Sequence, residues 1–89
     1  VQRVADLVGR SVRERLVQVL LGLGEEHGID ETEGIRIDLP LSQQDLADLV
    51  GTSRQKVNLN LRKLANQGLI RAERGRIIIL DEEGQQRLG

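Results

Sequence analysis

Between Ser53 and Gln67 the sequence places arginine, lysine, glutamine and asparagine at spacings that would gather them on one face of a helix. Wound at about 100° per residue, Val57, Leu61 and Leu64 fall within about 60° of one another and form an apolar stripe. Gln55, Leu59, Arg62 and Asn66 point the opposite way, with Asn58 on one flank and Lys63 on the other. Arg54 and Lys56 stand in the first turn. An arginine guanidinium can donate to guanine O6 and N7 together, and a glutamine or asparagine amide can engage adenine N6 and N7. Arg54, Gln55, Asn58 and Arg62 are therefore candidates for reading base edges. Ser53 is an expected N-cap, and with the free amides of the first turn it also suits a phosphate oxygen. Leu59 is the apolar exception on this face. It could touch a thymine methyl, meet a protein partner, or be an ordinary surface leucine.

Other chemistries find little support. The chain has one histidine, His27, and no cysteine, which excludes disulfides, thiolate metal sites and a cysteine nucleophile. Ser11, Ser42 and Ser53 each stand where a helix would begin and read as caps. His27 sits beside Gly28 at a helix end, where a cation suits the dipole. The acidic run Glu25, Glu26, Asp30, Glu31 and Glu33 does not have the spacing of a calcium loop. Gly22-Leu23-Gly24 follows no strand and makes no dinucleotide fingerprint. There is no aromatic side chain on which an RNA base could stack. No catalytic residue, metal ligand or cofactor is expected in these residues.

Net charge argues against a nucleic-acid partner until its distribution is examined. The 89 residues carry a net charge of −1, but residues 1–50 hold 5 basic and 10 acidic side chains. Residues 51–76 hold 7 basic ones (Arg54, Lys56, Arg62, Lys63, Arg71, Arg74, Arg76) against Glu73 alone. A basic block within an acidic chain is a local electrostatic footprint, although a solvated helix face would have the same composition.

The elements that must position these groups can be read from periodicity and punctuation. Residues 2–8 read as helix and stop at Gly9. Ser11 and Glu14 have the spacing of a capping box, and Val12, Leu16, Val19, Leu20 and Leu23 recur at helical intervals until Gly28. Residues 25–34, polar with two glycines, read as a loop. Ile35, Ile37 and Leu39 alternate with polar residues as a short half-buried strand closed by Pro40. Ser42, with Asp45 as its partner, caps a short helix whose apolar face is Leu46, Ala47, Leu49 and Val50. Gly51-Thr52 breaks it, and Ser53 caps the next helix, which ends near Gln67 with Gly68 as its left-handed stop. Leu69–Ala72 and Ile77–Leu80 read as strands of a hairpin turned at Glu73-Arg74-Gly75-Arg76. Asp81 is expected to begin a short terminal helix with Leu88 on its inner side. With 89 residues there is material for one domain and one modest core. The longest apolar runs, such as Ile77–Leu80, are far too short to span a bilayer. The chain starts at Val1, within a helical pattern and without Met, and is expected to be part of a longer protein. Its lack of cysteine suits the cytoplasm, the expected location.

Two short helices joined by a three- or four-residue turn containing glycine can present the second helix to the DNA major groove. Close crossing needs a small residue, supplied by Ala47. The turn needs positive φ, supplied by Gly51, and the second helix needs a branched apolar residue against the first, supplied by Val57.

Residues 10–89 resemble the C-terminal domain of the cyclic-AMP receptor protein/FNR family of bacterial regulators. The resemblance rests on the run Leu-Ser-Gln-Gln-Asp-Leu-Ala-Asp-Leu-Val-Gly-Thr-Ser-Arg-Gln-Lys-Val over residues 41–57. It continues through Leu61, Leu64, Gly68-Leu69-Ile70 and the strand Ile77–Leu80 followed by Asp81. Upstream, Arg10, Arg15-Leu16 and Leu20-Leu21 are similar to the opening helix of that domain. The fold so implied is α+β, a winged helix-turn-helix, with residues 1–9 as the end of a dimerisation helix and its hinge. The resemblance implies Arg54, Gln55 and Leu59 as base readers, and Ser42, Gln43, Gln44 and Ser53 at phosphates; Lys56, a cation in the first turn beside Ser53, is expected at a phosphate as well. It makes Arg74, Gly75 and Arg76 the tip of the wing. Double-stranded DNA is the implied partner, with homodimerisation through an N-terminal region and RNA polymerase as a further contact. Two positions depart from the family pattern. Residue 59, often basic or polar, is Leu, and residue 60, usually apolar and buried, is Asn. The reading from another class is a winged helix used for protein–protein interaction, which an exposed apolar patch on the second helix would favour.

Overall fold

The computed structural model describes residues 10–73 and 75–80. Helix α1 (Val12–His27) opens on Ser11, whose hydroxyl accepts from the Glu14 amide while the Glu14 carboxylate accepts from the Ser11 amide, closing the expected capping box. Strands β1 (Gly28–Glu31) and β2 (Gly34–Ile37) follow as a hairpin. Helices α2 (Gln43–Val50) and α3 (Arg54–Asn66) form the helix-turn-helix, and β3 (Ile70–Glu73) and β4 (Arg76–Leu80) the last hairpin. The sheet is antiparallel with order β1-β2-β4-β3.

Residues 25–34 are therefore not a loop. Residues 25–27 complete α1, and 28–31 form an edge strand exposed along its whole length. A strand with no buried face has no apolar alternation to reveal it; β1 is held by its ladder to β2, from Gly28 opposite Ile37 to Glu31 opposite Gly34. The chain passes from helix to strand with no connecting loop because residue 28 lacks a side chain. A Cβ there would collide with the Gly24 carbonyl and with Ile35. The half-buried strand expected around Ile35 and Ile37 is β2, which ends before Leu39.

Without aromatic residues, the core is built from Leu16 and Leu20 of α1, Ile37 of β2, Leu46, Ala47 and Val50 of α2, Val57, Leu61 and Leu64 of α3, and Ile70 and Ile77 of the last hairpin. Leu49, expected on the apolar face of α2, is instead 55% exposed. The neighbours of α2 lie on one side of it, and that side takes Leu46, Ala47 and Val50; Leu49 projects around the cylinder from them. On the opposite face of the sheet Arg36, Ile78 and Arg71 form one cross-strand row. Ile78 is only 4% exposed there, flanked by the two arginine stems. Arg36 donates to Glu31 (2.6 Å) and Asp38 (3.1 Å), and the bond to Glu31 leads in raising its pKa; Arg71 pairs with Glu33. The expected helices over residues 2–8 and from Asp81 to Leu88 lie outside the described residues, as does Arg74.

Candidate nucleic-acid interface

Helix α3 has the phase that its sequence predicts. Val57, Leu61 and Leu64 are buried, whereas Arg54, Gln55, Lys56, Arg62, Lys63 and Asn66 are exposed, as is Leu59 at 49%. Its N-terminus differs from those of the other two described helices. α1 and α2 each begin with a serine cap and a reciprocating carboxylate, Ser42 with Asp45 in α2. In α3 the Ser53 hydroxyl accepts from the Lys56 amide at 3.2 Å, but the place of the acid is taken by Lys56 itself. Two cations, Arg54 and Lys56, thus stand at the positive end of a helix dipole whose first turn holds no acid. That arrangement costs stability in isolation, and an anion placed there relieves it.

Gly51 sets how α3 leaves α2. At φ +82° it occupies the left-handed region, and its amide and that of Thr52 both donate to the Ala47 carbonyl, at 2.8 and 3.0 Å. Ala47 is fully buried at the helix crossing, where a larger side chain would force the helices apart.

The structure joins two candidates that the sequence keeps 15 residues apart. Asn58 Nδ2 donates to Gln43 Oε1 at 3.1 Å, and both residues are half-buried. This bond ties the first turn of α2 to the middle of α3 and engages part of the Asn58 amide. Gln43 also faces the last hairpin across a gap: with Gly75 and Arg76 it lines a cleft of about 130 Å³ that Leu46 and Leu61 also line. The tip of that hairpin therefore stands beside the start of α2. Glu73 lies opposite Arg76 in the β3–β4 register, and Gly75 and Arg76 are exposed. Ser42 and Gln44 are exposed as well, with Gln44 donating to Asp48 at 3.0 Å. Gln43→Ala is expected to cost about 0.5–1.5 kcal/mol, the worth of one hydrogen bond, measured by denaturant unfolding.

Asn60, at a position expected to be apolar and buried, is half-buried. Its amide donates to the Lys56 carbonyl at 2.8 Å, which satisfies one polar group within the helix. The basic block divides in space: Arg71 belongs to the ion-paired outer face of the sheet with Glu33, while Arg54, Lys56, Arg62, Lys63 and Arg76 remain exposed. His27 is exposed in the last turn of α1, 4.0 Å from Glu26. Among the described residues no group of three or more histidines or acids could hold a metal ion, and no helix is long and apolar enough to cross a membrane.

Residues 14–88 match the model of the Crp-like helix-turn-helix domain. A CRP-like cAMP-activated global transcriptional regulator of Mycobacterium tuberculosis is 38% identical over 80 residues, covering 90% of this chain and 36% of the regulator. The global nitrogen regulator of Synechococcus elongatus is 36% identical over 78 residues, covering 88% of this chain and 35% of its own length. The chain thus spans little more than a third of these curated relatives. The crystal structure of a CRP/FNR-family transcriptional regulator from Thermus thermophilus superposes with a TM-score of 0.76 at 30% identity, covering 98% of this chain and 44% of that one. The capped helices, the Ala47–Gly51–Val57 crossing, the hairpin beside α2 and these matches agree: the chain belongs to the Crp-like helix-turn-helix family and is a winged helix-turn-helix DNA-binding domain of the CRP/FNR type of transcription regulator.

Proposed function

We propose that residues 10–89 are the DNA-reading unit of a longer cytoplasmic regulator and that residues 1–9 join it to the rest. α3 lies in the major groove of duplex DNA, with Arg54, Gln55, Asn58, Leu59 and Arg62 on base edges. Ser42, Gln43, Gln44, Ser53 and Lys56 engage phosphates on one side, and the hairpin residues Arg74, Gly75 and Arg76 engage the backbone beside the groove. The intact protein reads two half-sites as a homodimer and contacts RNA polymerase. The observation that carries this reading is the first turn of α3, which exposes the cations Arg54 and Lys56 and is, among the described helices, the one whose start holds no acidic partner. A phosphate supplies the missing negative charge.

Titration of labelled duplex with this chain at several salt concentrations tests the reading. Binding is expected to be weak, because a single domain engages one half-site. It should also fall steeply with salt, with a log–log slope of roughly −0.9 per phosphate neutralised. The chain is acidic overall, so affinity must come from the local basic face, and binding indifferent to salt would refute the proposed phosphate contacts.

A further inference from the structure

Arg15 lies on α1, outside the helix-turn-helix, yet its guanidinium reaches the turn between α2 and α3. Nε donates to the Val50 carbonyl at 3.1 Å and Nη2 to the Gly51 carbonyl at 3.4 Å, while Nη1 donates to the Arg10 carbonyl at 3.0 Å. The carbonyls that close a helix lack intrahelical donors, and a cation beside them also meets the negative end of the helix dipole. α2 carries no basic residue in its own last turn. The charge comes from α1, 35 residues earlier, on a side chain that is half-buried.

The consequence for DNA reading follows from distance along the chain. Val50 and Gly51 are the last residues before the short link through Thr52 and the Ser53 cap to Arg54, so their placement sets where the first turn of α3 points. The third bond fastens the same guanidinium to the backbone just before α1. We propose that Arg15 is a positioning residue for base recognition: it locks the helix-turn-helix turn to the chain at Arg10 and thereby aims Arg54 and the first turn of α3. It touches no DNA. The inference rests on the DNA-reading role proposed above and adds that the aim of α3 is held from outside the motif by one planar, three-way donor. Lysine, with a single nitrogen on a flexible stem, cannot bridge these carbonyls in the same way.

The test uses the 89-residue chain, the duplex it enriches from a random pool, and a scrambled duplex of equal length and charge. Arg15→Lys keeps the charge and most of the stem and is expected to stay folded, with a melting temperature within a few degrees of wild type. Its preference for the selected over the scrambled duplex should fall about tenfold, because specific base contacts are lost and phosphate contacts are kept. Amide hydrogen exchange at Gly51 and Thr52 should quicken. Combined with Arg54→Ala, the loss of preference should be less than the product of the two single losses, since Arg15 acts through Arg54. Wild-type preference in Arg15→Lys would overturn the inference alone, as would an equal loss on both duplexes that multiplies fully with Arg54→Ala. A wild-type chain that binds no duplex would overturn the proposed DNA contacts and this inference with them.

Discussion

Leu64→Ala is expected to destabilise the domain by about 2–5 kcal/mol, whereas Leu59→Ala on the same helix should change stability by less than about 0.5 kcal/mol. Leu64 is 1% exposed and packs in the core shared by α1, α2, α3 and the sheet; Leu59 is 49% exposed on the opposite side of α3. Small domains have stabilities of about 5–15 kcal/mol, and no aromatic side chain here can reinforce the core. The loss at Leu64 is therefore a large share of the whole, and thermal and denaturant unfolding will read it directly. The pair also tests the phase on which every proposed base contact depends. Leu59→Ala should weaken binding to the selected duplex, and replacing one thymine by uracil should mimic that loss, because the C5-methyl is the apolar feature of a base edge in the major groove. The two changes together should cost no more than either alone. A loss of about 2–3 kcal/mol of stability at Leu59 would mean that the helix is rotated and the proposed contacts misassigned.

Arg54→Ala and Arg76→Ala should both weaken DNA binding, in different ways. Arg54 is exposed in the first turn of α3, and its loss is expected to cost about 1–3 kcal/mol on the selected duplex and to relax preference at one base pair. Arg76 is exposed beside the hairpin turn, next to the cleft shared with Gln43. Its loss should lower affinity for all sequences alike and make the salt slope shallower by roughly one phosphate contact. Competition binding with selected and scrambled duplexes separates the two outcomes. Equal fractional losses on both duplexes in both variants would remove Arg54 from the base-reading set.

The balance between local and distant information differs from one part of this interface to another. The phase of α3 was legible because Val57, Leu61 and Leu64 recur at a period that only one helical face satisfies. Its start was legible because a serine cap bonds three residues ahead, and so were the starts of α1 and α2. The turn at Gly51 and the last hairpin were legible for the same reason: their chemistry is decided within four residues. In each case the partner that selects the conformation is a near neighbour in sequence.

Where the partner is distant, the sequence by itself was silent. β1 has no buried face, and only its pairing with β2 makes a strand of Gly28–Glu31. Leu49 looks as apolar as Leu46, and the direction from which α1 and α3 approach α2 decides which of the two is covered. Asn58 meets Gln43, Arg71 meets Glu33 and leaves the basic block, and Arg15 reaches the turn at Val50 and Gly51. Sequence alone determined the helix-turn-helix, its caps and the types of side chain on the exposed face of α3, because short-range hydrogen bonds and helical periodicity are encoded in neighbouring residues. Tertiary structure alone decided which polar side chains are engaged within the chain and what holds α3 at its angle, because those depend on contacts between segments 15 to 38 residues apart, brought together by burial of a common core.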